Sequence, residues 1–227
     1  MVKEIITDLD ILADRSDEVD TKKDNALIRQ TVLDLKDTIR EQGLACLSAP
    51  QIGVKIRVFC INFNGDIRSF VNPIITNVKG FELSRETCPS LPGKTFIRPR
   101  HNQIDVAYQT PLGKIESNQL AGLAAKVYQK CVDNLDGLLL CDVGLEIDED
   151  FDKASDKEKE EVIKMYLDSL DIRQKQVEKE IEETPELKQT ADAIKFMESV
   201  QRGETVLKTV KLTPEEIEKK NQAIESL

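Results

Sequence analysis

The most informative stretch of this chain for its fold is Gln129-Lys130-Cys131-Val132-Asp133-Asn134-Leu135-Asp136-Gly137. Its layout matches the helical motif H-E-x-x-H, in which two histidines one turn apart bind zinc and a glutamate acts on the bound water. Lys130 and Asn134 stand at the two histidine positions, and Cys131 stands at the glutamate position. The chain has one histidine, His101, so it cannot supply a site with two histidine ligands.

Two earlier segments form a pattern with this stretch. They are Gly43-Leu44-Ala45-Cys46-Leu47-Ser48-Ala49-Pro50-Gln51-Ile52-Gly53 and Glu86-Thr87-Cys88-Pro89-Ser90-Leu91-Pro92-Gly93. Their order and spacing resemble the signatures of peptide deformylases, which are G-x-G-L-A-A-x-Q, E-G-C-L-S and Q-H-E-x-D-H-L-x-G. Members of that family remove the formyl group from new protein N-termini. The resemblance covers residues 1–148 and implies an α+β fold, with short antiparallel sheets around a central helix.

The resemblance implies a role for each substituted position. In the family, the cysteine of the second signature and the two histidines of the third hold the metal, which corresponds to Cys88, Lys130 and Asn134 here. An ammonium is a poor ligand unless it is strongly desolvated, and an amide oxygen suits hard cations. Cys131 replaces the catalytic glutamate and cannot transfer protons at a comparable pKa. We therefore expect neither a metal nor another cofactor.

The resemblance also places two oxyanion donors. Gln51 matches the side-chain donor of the family. Pro89 occupies the position whose backbone N–H is the second donor, and proline has no N–H. Loss of one such donor commonly lowers the rate by about 10²–10³. The sequence therefore predicts a protein that is not an enzyme and that keeps six vestigial site positions: Gln51, Cys88, Pro89, Lys130, Cys131 and Asn134.

The five cysteines allow two interpretations of the site. Because the matching family positions both face the metal, Cys88 and Cys131 are expected to lie close together. They form either a disulfide or two-thiolate metal site, or a pair of buried thiols beside Lys130, which we favour. An odd number of cysteines without a signal peptide indicates a reducing, cytoplasmic setting or a virion assembled there. Three cysteines lie in apolar surroundings and are expected in the core: Cys46, Cys60 and Cys141.

The spacing of apolar residues predicts the main elements. Helices are predicted over 25–42, with Gly43 as its C-cap, and over 119–135. Short strands are predicted at 55–62, 68–73, 80–85, 103–109 and 114–118. The composition changes after Asp150, which predicts a peptide-deformylase-like domain at 1–150 and a charged, mainly helical extension at 151–227.

The extension is expected to associate with other proteins. Ser155 and Glu158 form a capping box that opens a long helix, and further helices are predicted to begin at Thr184 and Thr213. A narrow apolar stripe on the long helix favours a partner helix or a second copy of the chain. Its residues are Ile163, Leu167, Leu170, Val177 and Ile181. The net charge of −10 argues against nucleic-acid binding, and no segment is long enough to span a membrane.

Three functions are compatible with these features. The leading hypothesis is a catalytically inactive deformylase relative that is a structural or assembly component of a larger complex, such as a bacteriophage virion or tail baseplate. The alternative is a peptide-binding module, because the family's cleft binds an extended peptide alongside a strand through backbone groups. Residues 43–46 and 86–91 would flank that cleft. The third is a residual hydrolase with an unusual metal held by Cys88, Cys131 and another ligand.

Overall fold

The computed structural model describes residues 1–183, with side chains described for residues 1–171 and for Lys175. The predicted helices that begin at Thr184 and Thr213 lie outside the described residues. The helices are α1 (Leu9–Leu12), α2 (Asn25–Gln42), α3 (Leu123–Leu135), α4 (Leu140–Val143), α5 (Glu149–Lys153) and α6 (Asp156–Glu183). The strands are β1 (Cys46–Ser48), β2 (Val58–Phe63), β3 (Asp66–Lys79), β4 (Glu82–Cys88), β5 (Leu91–Arg100), β6 (Gln103–Gln109), β7 (Ile115–Ala121) and β8 (Leu145–Ile147).

The strands form two antiparallel sheets. The larger sheet has the strand order β1-β2-β3-β6-β7, and the smaller sheet has the order β4-β5-β8. Strands β1 and β4 are therefore edge strands of different sheets. Together with the packed helices, this arrangement confirms the predicted α+β class.

Helix α2 confirms the prediction over 25–42. Gly43 ends it with a left-handed φ of 63°, and its N–H donates to the carbonyl of Ile39. Glycine adopts this conformation without the strain that a Cβ atom would cause. The buried face of α2 packs against one side of the larger sheet through residues at helical spacing: Ile28, Val32, Leu35 and Ile39.

Strand β2 explains the continuous apolar run that begins at Val58. Alternate side chains of a strand point to opposite faces of the sheet. Val58 and Cys60 belong to the core on the α2 side, whereas Phe59 and Ile61 belong to the core on the α3 side. A strand covered on both faces needs apolar residues at every position, so it shows no polar alternation.

Helix α3 is the central helix. Tyr128 is fully buried, and its ring lies 5.0 Å from that of Phe59 and 5.2 Å from that of Phe70. On another side of the helix, Gln129 Nε2 donates to the carbonyl of His101 at 2.8 Å, which joins α3 to the end of β5. The backbone N–H of His101 donates back to Gln129 Oε1 at 3.0 Å, so the single histidine has a structural position.

The predicted start of α3 is wrong, and strand β5 was not predicted. Residues 119–121 belong to β7, because they pair with β6, and the helix begins only after Gly122, whose φ is 57°. Strand β5 has no predicted counterpart, since Pro92, Gly93 and Pro99 interrupt the apolar pattern. Pairing with β4 and β8 overrides those local signals.

Helix α6 begins with the predicted capping box. The Ser155 backbone N–H donates to Glu158 Oε2 at 2.8 Å, and the Glu158 N–H donates to Ser155 Oγ at 3.4 Å. Of the predicted stripe, Ile163, Leu167 and Leu170 are half-buried, whereas the side chains of two residues lie outside the described part: Val177 and Ile181.

The chain divides into two compact units, Met1–Glu161 and Val162–Leu227. In the second unit, the described backbone is the continuation of α6 to Glu183. The predicted domain boundary after Asp150 stays a prediction. Within the described residues, none of the helices combines the length and the apolar character that crossing a membrane requires.

Candidate functional site

The candidate site lies where α3 meets the edges of the two sheets. The i, i+4 spacing of Lys130 and Asn134 holds on α3, with Asn134 buried and Lys130 half-buried. Cys131 is fully buried on the same helix. Pro89, at the β4–β5 turn, is half-buried.

Gln51 is the polar hub of the site. It lies in the short 3-10 turn that follows β1, and its Oε1 accepts hydrogen bonds from the Ser48 N–H at 3.0 Å and from Asn134 Nδ2 at 3.3 Å. Its Nε2 donates to Ser90 Oγ at 3.1 Å and to Cys88 Sγ at 3.5 Å. Three of the sequence-predicted positions therefore meet around one amide, and all four partners hold it in a fixed orientation.

The ammonium of Lys130 faces a cluster of thiols. Its Nζ donates to the carbonyl of Thr87 at 3.1 Å. Burial opposes its charge, but the interaction with Cys46, Cys131 and Cys88 raises the pKa of Lys130 above its usual value. The lysine therefore remains a cation at neutral pH.

The thiols of Cys46 and Cys131 form a coupled pair. The hydrogen bond from Cys131, together with the nearby ammonium of Lys130, lowers the pKa of the Cys46 thiol despite its burial. Burial, with the contact to Cys46, raises the pKa of Cys131. All five cysteines are free, so the disulfide alternative for Cys88 and Cys131 is wrong. The Cys46–Cys131 contact was not predicted, because it depends on the packing of β1 against α3.

A buried ion network joins α3 to β4 and β5. Arg100 donates two hydrogen bonds to the carboxylate of Glu86, at 2.7 and 2.8 Å, and also pairs with Asp133. Arg98 reaches the same Asp133 carboxylate at 2.7 Å. Burial opposes the charge of Arg100, but Glu86 and Asp133 raise its pKa. The network fixes β4 and β5 against the helix that carries Lys130.

A groove opens beside these residues, between strand β4 and helix α3. Its volume is about 170 Å³. We call it the β4 groove, and its lining residues are Ala45, Ser84, Arg85, Glu86, Thr87, Leu123, Lys126, Val127 and Lys130. Ala45 comes from the segment before β1, four residues come from β4, and the remaining four come from α3.

Comparison with known proteins identifies the family of this chain. The family model for polypeptide deformylase matches residues 2–148 of this chain. The chain belongs to the peptide deformylase family. It is 30% identical to the peptide deformylase of Dictyoglomus turgidum over 138 residues, which cover 61% of this chain and 87% of that protein. It is 33% identical to the enzyme of Pelotomaculum thermopropionicum over 134 residues, covering 57% of this chain and 82% of that protein.

Solved deformylase structures have the same fold. The crystal structure of the Thermotoga maritima peptide deformylase gives a TM-score of 0.58 at 27% identity, and the match covers 63% of this chain and 97% of that one. A class I type b deformylase of Acinetobacter baumannii, crystallised with Met-Ala-Ser bound, gives a TM-score of 0.58 at 23% identity, covering 63% of this chain and 98% of that one.

These comparisons correct one expectation. The expectation that the chain is not an enzyme is contradicted, because the matching family and the similar proteins are peptide deformylases, which are enzymes. That expectation drew a conclusion about the activity of the whole protein from substitutions at a few site positions. The deformylase fold and Gln51 are present.

The residues at the family's metal positions do not fit that metal. They are a thiol, an ammonium and an amide: Cys88 accepts from Gln51, Lys130 donates to Thr87, and Asn134 donates to Gln51. An ammonium repels a divalent cation and has no lone pair to donate. Within the part of the chain that the structure describes, no group of three or more histidine, cysteine, aspartate or glutamate residues could hold a metal ion.

Proposed function

We propose that this member of the deformylase family binds the N-terminal segment of a peptide in the β4 groove. The observation that carries the proposal is that β4 is an edge strand and that its residues 84–87 line an open groove. The backbone N–H and C=O groups on the outer side of an edge strand are free to pair with another extended chain.

The groove also offers contacts for one side chain of the peptide. Leu123 is 77% exposed, and with Val127 and Ala45 it provides apolar surface on the side opposite β4. A bound peptide would pair its backbone with β4 and direct alternate side chains toward α3. Because backbone pairing needs no metal, the donor set at Cys88, Lys130 and Asn134 is compatible with this role.

Calorimetric titration with short peptides tests the proposal. The probes are acetylated, amidated tripeptides X-Ala-Ser with methionine, glutamine or glutamate as the first residue. We expect saturable binding of at least one of them. Ala45→Trp, which fills the groove with a large ring, should weaken that binding at least tenfold. Ala121→Trp, at an exposed alanine outside the groove, should leave it unchanged. Equal affinity of wild type and Ala45→Trp would place the peptide elsewhere and overturn the proposal.

A role in association is a second proposal, favoured by the apolar side chains of α6. Val162 and Met165 are 40% and 72% exposed, and Ile163 and Leu167 are half-buried on the same helix. Such a helix gains stability by packing against another helix, and we propose a second copy of this chain as that helix. Light scattering should give a dimer mass for the wild type. This role is supported if the wild type is a dimer and Leu167→Glu is a monomer. It is excluded if the wild type is a monomer.

A further inference from the structure

Lys130 differs from the other two cations of the β4 groove in its partners. Lys126 pairs with Glu82 at 2.8 Å, and Arg85 pairs with Asp152 through two hydrogen bonds of 2.7 and 2.8 Å. Among the described residues, no carboxylate forms an ion pair with Lys130, whose polar partners are the Thr87 carbonyl and the thiols. Lys130 is therefore the one cation among the described lining residues that forms no ion pair with a carboxylate, and Glu86 acts on it only at longer range.

The donors of the Lys130 ammonium are not all used. An ammonium group has three N–H donors. One donates to the carbonyl of Thr87, and a second contacts the Cys46 thiol on the buried side. Cys46 does not line the groove, whereas Lys130 does. Among the described residues the third donor meets no further acceptor, so it can bind a group that enters the groove.

Glu86 is the one carboxylate among the described residues that line the groove, and it does not bind the Lys130 ammonium. Both oxygens of Glu86 accept hydrogen bonds from Arg100, and Glu86 is buried. Its charge is thereby neutralised within the fold. A ligand anion beside Lys130 would not meet an unpaired carboxylate from the protein.

We propose that the β4 groove selects a peptide whose first side chain carries a carboxylate, and that Lys130 Nζ donates to that carboxylate. This inference rests on the proposed peptide binding and names the class of peptide. The volume of about 170 Å³ is suited to one side chain of the size of glutamate. The apolar wall of Leu123 and Val127 would contact its methylene groups, while the ammonium binds its charged end.

The test compares two peptides of equal shape and different charge. Acetylated, amidated Glu-Ala-Ser should bind the full chain about tenfold or more tightly than Gln-Ala-Ser, since a hydrogen bond to a charged partner is stronger than a neutral one. Lys130→Met should remove this preference, and Lys130→Arg should retain it. Lys126→Met is the matched control, because its charge is already paired with Glu82, and it should also retain the preference.

Each outcome decides one of the two proposals. If the glutamate and glutamine peptides bind the wild type equally, the carboxylate preference is overturned while peptide binding stands. If no peptide binds, both are overturned. Circular dichroism shows whether Lys130→Met is folded; if it is not, the wild-type comparison together with Lys126→Met and Lys130→Arg still decides. If Lys126→Met loses the preference while Lys130→Met keeps it, the carboxylate binds Lys126 rather than Lys130, which contradicts the inference.

Discussion

Lys130 Nζ donates a hydrogen bond to the carbonyl of Thr87 at 3.1 Å, which ties helix α3 to the outer edge of strand β4. The Thr87 carbonyl therefore points away from β5. Because backbone groups two residues apart in a strand point in the same direction, the N–H and C=O of Arg85 face the same open edge. This relationship identifies which backbone groups a peptide in the β4 groove would use.

Arg85→Pro tests that backbone pairing. Proline removes the outward N–H of residue 85 and is tolerated in an edge strand where that N–H does not pair with the neighbouring strand. We expect peptide affinity, measured by calorimetry, to fall about tenfold, as for one lost hydrogen bond. Arg85→Ala, which removes the same side chain and its pairing with Asp152 but keeps the N–H, should bind normally. Equal affinities for the two variants would argue against pairing at this position.

The Lys130 ammonium should also lower the pKa of the Cys46 thiol. Since the ammonium and the Cys131 hydrogen bond lower the pKa of Cys46, the thiolate forms at lower pH in the wild type than in a free thiol. Lys130→Met removes one of these effects, so the first midpoint in an ultraviolet titration of the thiolate should move to higher pH. Burial raises the pKa of Cys60 to about 12, so that thiol does not contribute near neutral pH. An unchanged midpoint in Lys130→Met, beside an unchanged Lys126→Met, would contradict the assigned contact.

Gly137 follows the end of α3 and packs closely against the N-terminal segment at Ala13. Its φ is 73°, and a Cβ atom there would lie 2.1 Å from the carbonyl oxygen of Ala13. Gly137→Ala should therefore lower the free energy of unfolding by about 2–4 kcal/mol, through both strain and the clash. Gly93→Ala is the matched control, because Gly93 has a φ of 75° and nothing within 4 Å of the added Cβ. It should cost about 1 kcal/mol. Urea unfolding midpoints, compared at equal slope, measure the loss of unfolding free energy in both variants. Equal losses in Gly137→Ala and Gly93→Ala would exclude a role for the Ala13 contact.

The donor set can be changed to one that fits a metal. A variant combining Lys130→His, Cys131→Glu, Asn134→His and Pro89→Leu would place two imidazoles one helical turn apart beside Cys88. We expect purified variant to contain about one zinc or nickel ion per chain by mass spectrometry, well above the wild type. Adding Cys88→Ser should lower that content. A metal content equal to that of the wild type would show that these positions do not converge as the fold places them.

The elements that sequence could predict are those with strong local signals. Helix α2 has a regular apolar face and a glycine at its end, and its bounds agree with the prediction. Strand β5 carries Pro92, Gly93 and Pro99, so it could not be recognised before its pairing with β4 was known. The central helix was predicted over 119–135 from apolar spacing, whereas the arrangement of short antiparallel sheets around it is also what the family resemblance implies.

The same distinction holds within the site. The placement of Lys130 and Asn134 one turn apart follows from helical spacing, and the grouping of Gln51 with Cys88 follows from the family pattern. The contact between Cys46 and Cys131 joins residues distant in sequence and depends on how β1 packs on α3. Thr87 lies within the predicted cleft flank 86–91, but its carbonyl as the acceptor for Lys130 could not be predicted, because no side-chain pattern signals a backbone acceptor.

The most direct measurement of the central claim is a nuclear magnetic resonance titration of the isotope-labelled chain with acetylated Glu-Ala-Ser amide. Binding in the β4 groove predicts saturable shifts of the backbone amides of Ala45 and residues 84–87, with a shift of the Lys130 side chain. The surface cavity lined by Arg15, Ser16 and Arg57 is the internal control and should not respond. Shifts confined to that cavity, or no shifts at any concentration, would contradict the account.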